Sequence, residues 1–220
     1  MKKLILFDLD GTLFDTTAAM EACGNDALSR LGLPTFPRAQ YALFSGGGIE
    51  GYVKAILSAA GDRDFRHYDA FWSLYLKKQE TLEEESNVPY PGVFSLIGAL
   101  KEAGIRLAVL SNKDHETCVE IVERIFGAEL FDMILGDQGL RPAKPDPAGV
   151  FKILSDLQVD AADALYVGDT EVDIETGRNA DLDTVAALWG YRSRETLVKA
   201  GARLFAEAPE DILTLALQER

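Results

Sequence analysis

The sequence predicts an α/β protein: a parallel, doubly wound core sheet with an inserted all-helical cap domain. Three observations carry this reading. From about residue 90 onward, short apolar strand-like runs alternate with helical runs. A single strand-like run, Leu4-Ile5-Leu6-Phe7, stands far ahead of them. The stretch between, residues 16–85, has helical periodicity and no convincing strand. Alternating strands and helices make a parallel sheet with helices on both faces, a Rossmann-like arrangement. A helical block placed after the first strand of such a sheet lies over the strand ends as a cap. Residues 1–15 and 86–220 therefore form the α/β core, and residues 16–85 the cap.

Each element follows from local pattern. Lys3–Phe7 reads as a buried strand. Between about Ala18 and Leu31, Ala19, Ala22, Cys23, Ala27, Leu28 and Leu31 recur at helical spacing, and Gly32-Leu33-Pro34 ends that helix. Phe36–Phe44, Ile49–Ala60 and Phe65–Glu85 read as helices, the first two separated by Gly46-Gly47-Gly48, and Glu83-Glu84-Glu85 as a solvated face. Pro89-Tyr90-Pro91-Gly92 is sharp punctuation. Helices are then expected over Val93–Ala103, His115–Phe126, Pro147–Leu157, Asp173–Asn179, Arg194–Ala200 and Pro209–Leu217. Strands are expected over Ile105–Leu110, Met133–Leu135, Ala164–Val167 and Thr184–Leu188, with a weak one at Arg203–Phe205.

Bulk properties exclude several classes. The 220 residues suffice for a real core, with 47% hydrophobic and 26% charged residues. No run approaches the ~18 apolar residues of a membrane span. The apolar run after Met1-Lys2-Lys3 stops at Asp8, short of the ~7–15 residues of a signal core, so a cytoplasmic protein is expected. A net charge of −14 argues against binding nucleic acid or an anionic membrane. Two cysteines, Cys23 and Cys118, are too few and too separated for a zinc or disulfide framework. The two histidines, His67 and His115, have no partner at metal spacing.

The chemistry concentrates at strand ends. Asp8-Leu9-Asp10-Gly11-Thr12 follows the first strand directly, and Asp8 and Asp10, at i and i+2, point to one side of a strand. Two carboxylates that close repel unless a cation intervenes, and Mg²⁺ suits carboxylates, water and a substrate phosphate. Ser111-Asn112 follows the second core strand, Lys144 lies in Lys144-Pro145-Asp146-Pro147, and Asp169 and Asp173 lie in Gly168-Asp169-Thr170-Glu171-Val172-Asp173. Ligands of open α/β sheets bind outside the carboxyl ends of the strands. Each residue also has a plain structural reading. Asp8, Asp10 and Asp15 suit turns or helix caps, Ser111-Asn112 suits a cap for the His115 helix, and Trp189 and Tyr191 suit packing at the sheet edge.

Taken in order, these four motifs resemble those of the haloacid dehalogenase superfamily of phosphohydrolases, and most closely its phosphoglycolate phosphatase-like branch. Trp189-Gly190-Tyr191 extends the resemblance, and residues 16–85 match the family's helical cap in position and length. The resemblance implies a Mg²⁺-dependent phosphatase with residues 1–15 and 86–220 as its catalytic part. Asp8 would be the nucleophile and Asp10 the general acid and base. Lys144, Ser111, the Asn112 N–H and Gly11 would hold the phosphate. Asp8, the Asp10 carbonyl and Asp169 would bind the metal, and Asp173 would orient a bound water or Lys144. Gly46 would be a cap contact to a small phosphorylated metabolite, phosphoglycolate being favoured. A phosphosugar mutase or pyrophosphatase of the same superfamily is the alternative. A non-catalytic phospho-accepting protein fits less well, because the long helical insertion and Asp10 have no place in it. The family often has Gly where this chain has Asp181, at a left-handed helix stop.

Overall fold

The computed structural model describes residues 1–82 and 87–218. The chain divides into two compact units, Met1–Phe14 with Pro89–Arg220, and Asp15–Val88. It begins with β1 (Leu4–Phe7) and a two-residue strand β2 (Phe14–Asp15). The helical unit follows: α1 (Thr17–Arg30), α2 (Arg38–Phe44), α3 (Gly48–Ala59) and α4 (Tyr68–Gln79). The short β3 (Val88–Pro89) pairs with β2. Then come α5 (Val93–Glu102), β4 (Arg106–Asp114), α6 (His115–Phe126), β5 (Met133–Asp137), α7 (Ala148–Asp156) and β6 (Ala164–Gly168). The chain ends with α8 (Glu171–Asn179), β7 (Asp183–Ala187), α9 (Arg194–Lys199), β8 (Leu204–Ala206) and α10 (Glu210–Leu217).

Six strands form one parallel sheet in the order β5-β4-β1-β6-β7-β8. β1 is central and all four of its side chains are buried. Each such side chain contributes about 1.5–3 kcal/mol relative to exposure, so the strand that carries Asp8 has little freedom to shift. Alternation divides the core between the two sheet faces. Ile5, Phe7, Val109 and Val167 pack with α5, α6 and α10, whereas Leu4, Leu6, Ala108 and Tyr166 pack with α7. Connections leave β1 toward β4 on one side and β6 toward β7 on the other. The carboxyl ends of β1 and β6 therefore flank the switch point, where open α/β sheets bind ligands.

The helical unit closes on its own core of Cys23, Leu28, Tyr41, Val53, Ile56 and Phe71. Gly24 is needed there, because a Cβ would meet the Tyr41 ring at 2.3 Å. Asn25 ties α1 to the following loop, accepting from the Phe36 N–H at 2.9 Å and donating to its carbonyl at 2.8 Å. Asp15 has the structural role open to it: it accepts from the Thr17 N–H at 3.0 Å and pairs with Arg38 at 2.8 Å.

Several boundaries differ from expectation. The helix expected over Phe65–Glu85 is α4, Tyr68–Gln79, because Phe65 adopts φ +54° and His67 serves as the N-cap position. Glu83-Glu84-Glu85 lie outside the described residues. The strand expected to stop at Leu110 continues to Asp114 with a register irregularity after Leu110. Asp181 adopts φ +55°, the left-handed stop that its position after α8 suggested.

Candidate active site

Register brings the first motif beside the fourth. Phe7 pairs with Val109 on one side and Val167 on the other, and the Asp8 N–H donates to the Val167 carbonyl at 2.9 Å. Asp8 and Asp169, just beyond β1 and β6, and Ser111, in the extension of β4, therefore emerge at the same end of the sheet. All three are buried.

Lys144 is the hub. Its Nζ donates to Asp8 Oδ1 at 2.8 Å, Asp173 Oδ1 at 2.7 Å and the Tyr166 hydroxyl at 3.0 Å. The Tyr166 hydroxyl donates in turn to Asp173 Oδ1 at 2.8 Å. Asn112 holds the Lys144 backbone through two bonds: its Oδ1 accepts from the Lys144 N–H at 2.7 Å, and its Nδ2 donates to the Lys144 carbonyl at 2.9 Å. Asp173 sits in the first turn of α8, where its Oδ2 accepts from the Thr170 N–H at 3.0 Å and hydroxyl at 2.8 Å. This reciprocal cap at a helix start fixes the carboxylate.

Asp8, Asp169 and Asp173 form a buried carboxylate cluster whose oxygens lie within 4.8 Å of one another. Asp169 is held from two sides, by the Thr12 hydroxyl at 3.1 Å and the Tyr191 N–H at 2.7 Å. Two glycines make room for it. A Cβ on Gly11 would lie 2.3 Å from Asp169 Oδ2, and one on Gly190 would lie 2.3 Å from Asp169 Cβ and 2.4 Å from the Gly11 carbonyl.

Burial and mutual repulsion set the electrostatics of this cluster. Burial, then repulsion from Asp173, pushes the Asp8 carboxyl up to about 7 despite Lys144. The same two causes push Asp169 well above the usual carboxylate range. Burial would raise Asp173 as well, but Lys144 and the Thr170 bonds hold it below the ordinary value. Burial disfavours the Lys144 ammonium, and Asp173 and Asp8 reverse that and hold it well above the ordinary lysine value. Three clustered carboxylates, two of them on one ammonium, leave a net negative, oxygen-lined cluster. That donor set fits a hard divalent cation such as Mg²⁺.

Asp10 stands apart from this cluster. Its carboxylate receives the Lys113 ammonium at 2.9 Å and 3.1 Å. Ser111 Oγ accepts from the Lys113 N–H at 3.1 Å, and its side chain also hydrogen-bonds the Cys118 sulfur.

A family model described as haloacid dehalogenase-like hydrolase matches residues 5–187. The chain belongs to the haloacid dehalogenase-like hydrolases. It is 35% identical over 190 residues to a phosphoglycolate phosphatase of Aquifex aeolicus, covering 86% of each chain. It is 32% identical to a phosphoglycolate phosphatase of Rhodobacter capsulatus, covering 87% of each. The solved structure of a Lactobacillus delbrueckii subsp. bulgaricus protein superposes with a TM-score of 0.87 at 29% identity over the whole of both chains. A haloacid dehalogenase-like family protein from Streptococcus pneumoniae shares the fold, with a TM-score of 0.86 at 20% identity, covering 97% of this chain and 98% of that one.

Within this haloacid dehalogenase-like hydrolase, one expectation needs correction. The Gly11 N–H is not free for phosphate, because it donates to the Phe14 carbonyl at 2.8 Å. Gly11 instead gives Asp169 space. The plain alternative reading of Ser111-Asn112 as a helix cap does not hold, because Asp114 caps α6, accepting from the Thr117 N–H at 3.0 Å. Thr12, Thr170 and Lys113 lie within the motifs but have no role assigned from sequence, and Tyr166 lies outside them. Lys113 gave no signal, because the strand was expected to stop at Leu110 and Lys113 lies in its extension. Tyr166 gave none, being one aromatic in a buried strand. Gly46, between α2 and α3, adopts φ +107°. Trp189 packs against the core and donates Nε1–H to the Thr12 carbonyl at 2.9 Å.

Proposed function

We propose that this hydrolase is a Mg²⁺-dependent phosphomonoester hydrolase that works through an aspartyl-phosphate on Asp8. The observation that carries the reading is the convergence of Asp8 and Asp173 on the Lys144 ammonium, with Asp169 in the same carboxylate cluster, at the switch point of the sheet. A carboxylate attacks a phosphoester dianion only if the repulsion between them is screened. Asp8 and Asp169, with the Asp10 carbonyl, would hold the cation. When bound, it would neutralise phosphoryl charge and orient the phosphate.

Asp8 attacks phosphorus and the bond to the leaving oxygen breaks, while Asp10 donates its proton to that oxygen. Water then attacks the aspartyl-phosphate, Asp10 takes the proton, and phosphate leaves with the Asp8 carboxylate regenerated. Lys144, the Ser111 hydroxyl and the Asn112 N–H hold the phosphoryl oxygens through both steps. Asp173 keeps the Lys144 ammonium in place. Gly46 is assigned as a backbone contact to the substrate. Phosphoglycolate is the favoured substrate, supported by the names of the curated relatives.

A panel of phosphorylated metabolites, assayed with Mg²⁺ and with chelator, tests the reading. Phosphoglycolate is expected to give the highest kcat/KM, and chelation to remove activity. Asp8→Asn is expected to abolish turnover of every ester, including an aryl phosphate. Activity retained by Asp8→Asn would overturn the nucleophile assignment.

A further inference from the structure

We propose that Lys113 is a positioning residue that aims the Asp10 carboxyl group at the leaving oxygen. The inference rests on the proposed role of Asp10 as proton donor and goes beyond it by naming what holds that donor. Lys113 Nζ reaches both carboxylate oxygens, at 2.9 Å and 3.1 Å, and the two side chains are only 22% and 17% exposed. The Asp10 backbone is already set by the tight bend after β1, where the Leu9 carbonyl accepts from the N–H groups of Leu13 at 3.0 Å and Phe14 at 3.1 Å. What that bend leaves undetermined is the side-chain rotamer, and a two-point contact from an ammonium determines it.

The position of Lys113 follows from the extension of β4. Past Leu110 the strand runs on through three consecutive site residues. Ser111 presents a hydroxyl, Asn112 clamps the Lys144 backbone, and Lys113 takes Asp10. One tripeptide thus organises both lysine–carboxylate pairs. Lys144 serves the attacking carboxylate and Lys113 serves the proton-transferring one. During transfer the ammonium can keep one Asp10 oxygen while the other faces the leaving group. In the first transfer, which kcat/KM reports, a misaimed acid costs rate only where the leaving oxygen needs a proton; the second step uses Asp10 as base for every ester alike.

That difference supplies the test. An alkyl phosphate such as phosphoglycolate leaves as an alkoxide and needs the acid, whereas p-nitrophenyl phosphate leaves as a stable phenolate and does not. Steady-state kcat and KM are measured on both esters with Mg²⁺ for wild type, Lys113→Met, Lys113→Arg and Asp10→Asn. Lys113→Met is expected to lower kcat/KM on the alkyl ester about 10- to 100-fold, part of what general acid catalysis supplies. Its kcat/KM on the aryl ester, which reports only the first transfer, should stay within about threefold, and Lys113→Arg should recover part of the alkyl loss. Equal losses on both esters, or an unchanged or faster alkyl reaction, would overturn the proposal. Lys113→Gln replaces Lys113→Met should the latter fail to fold, with the same expected selectivity. Asp10→Asn separates the two levels: if it shows no ester selectivity, the proton-donor reading itself fails. If it is selective and folded Lys113→Met is not, only the Lys113 proposal fails.

Discussion

Gly190 shows how much of this site depends on what is left out of a side chain. It lies against Asp169, where any Cβ would overlap Asp169 Cβ and the Gly11 carbonyl. Neither neighbour is a flexible tip, so Gly190→Ala must displace Asp169 or the bend that carries Asp10. A shift of about 1 Å at a reacting centre costs on the order of 100-fold in rate. Gly190→Ala is expected to fold but to need at least about tenfold more Mg²⁺ for half-maximal activity. A Mg²⁺ titration checks this, and an unchanged midpoint would contradict it. The sequence displayed Gly190 inside Trp189-Gly190-Tyr191 but not its purpose. The carboxylate it makes room for lies twenty-one positions earlier in the chain.

At the scale of elements, β4 matters most. Its extension beyond Leu110 was not legible, because Ser, Asn, Lys and Asp read as loop when neighbouring strands are unseen. Asp114 then ends the strand and starts α6 in one residue. Asp114→Ala removes the cap to the Thr117 N–H and is expected to cost about 1 kcal/mol, read from urea unfolding. The helical unit has a comparable lock before α4. Asp62 Oδ2 accepts from the His67 N–H at 2.9 Å and faces His67 Nδ1 at 2.9 Å, while Oδ1 accepts from the Arg66 N–H at 3.1 Å. The bond from the His67 N–H is the main cause holding the Asp62 carboxyl below its ordinary value. A lowered carboxylate stabilises the fold above its unfolded value of about 3.9, and that contribution fades as pH falls through the lower folded value. Asp62→Ala is therefore expected to lower Tm at pH 7 and pH 5, with the gap from wild type narrowing toward pH 3. A gap independent of pH would show that Asp62 acts without its charge.

For the molecule as a whole, an acidic chain binding an acidic ester must reverse its field locally. A net charge of −14 leaves that to Lys144, Lys113 and the cation for which the carboxylate cluster is suited. No helix among the described residues is long and apolar enough to cross a membrane. Both cysteines are buried, and burial pushes the Cys118 thiol up to about 12. Thiolate is the reactive form, which disfavours reaction at Cys118, and burial shields both sulfurs, so both sites should be inert at neutral pH. Ellman's reagent is expected to label neither cysteine of the native chain within minutes and both after denaturation. Rapid native labelling would mean that the core opens far more readily than its packing implies.

The alternation of apolar runs, the isolated first strand and the four polar clusters were readable from order and spacing, because each is a local pattern of a few residues. They established the parallel sheet, the helical insertion and the identities of Asp8, Asp10, Lys144 and Asp169 as candidates. Only the tertiary structure decided which carboxylate meets which lysine. It gave Asp10 to Lys113, turned Asn112 into a clamp on Lys144 and drew Asp173 into the cluster with Asp8 and Asp169. It also spent the Gly11 N–H inside a bend. The reason is physical: a pairing between residues a hundred positions apart is set by strand order and register, which a linear pattern does not contain.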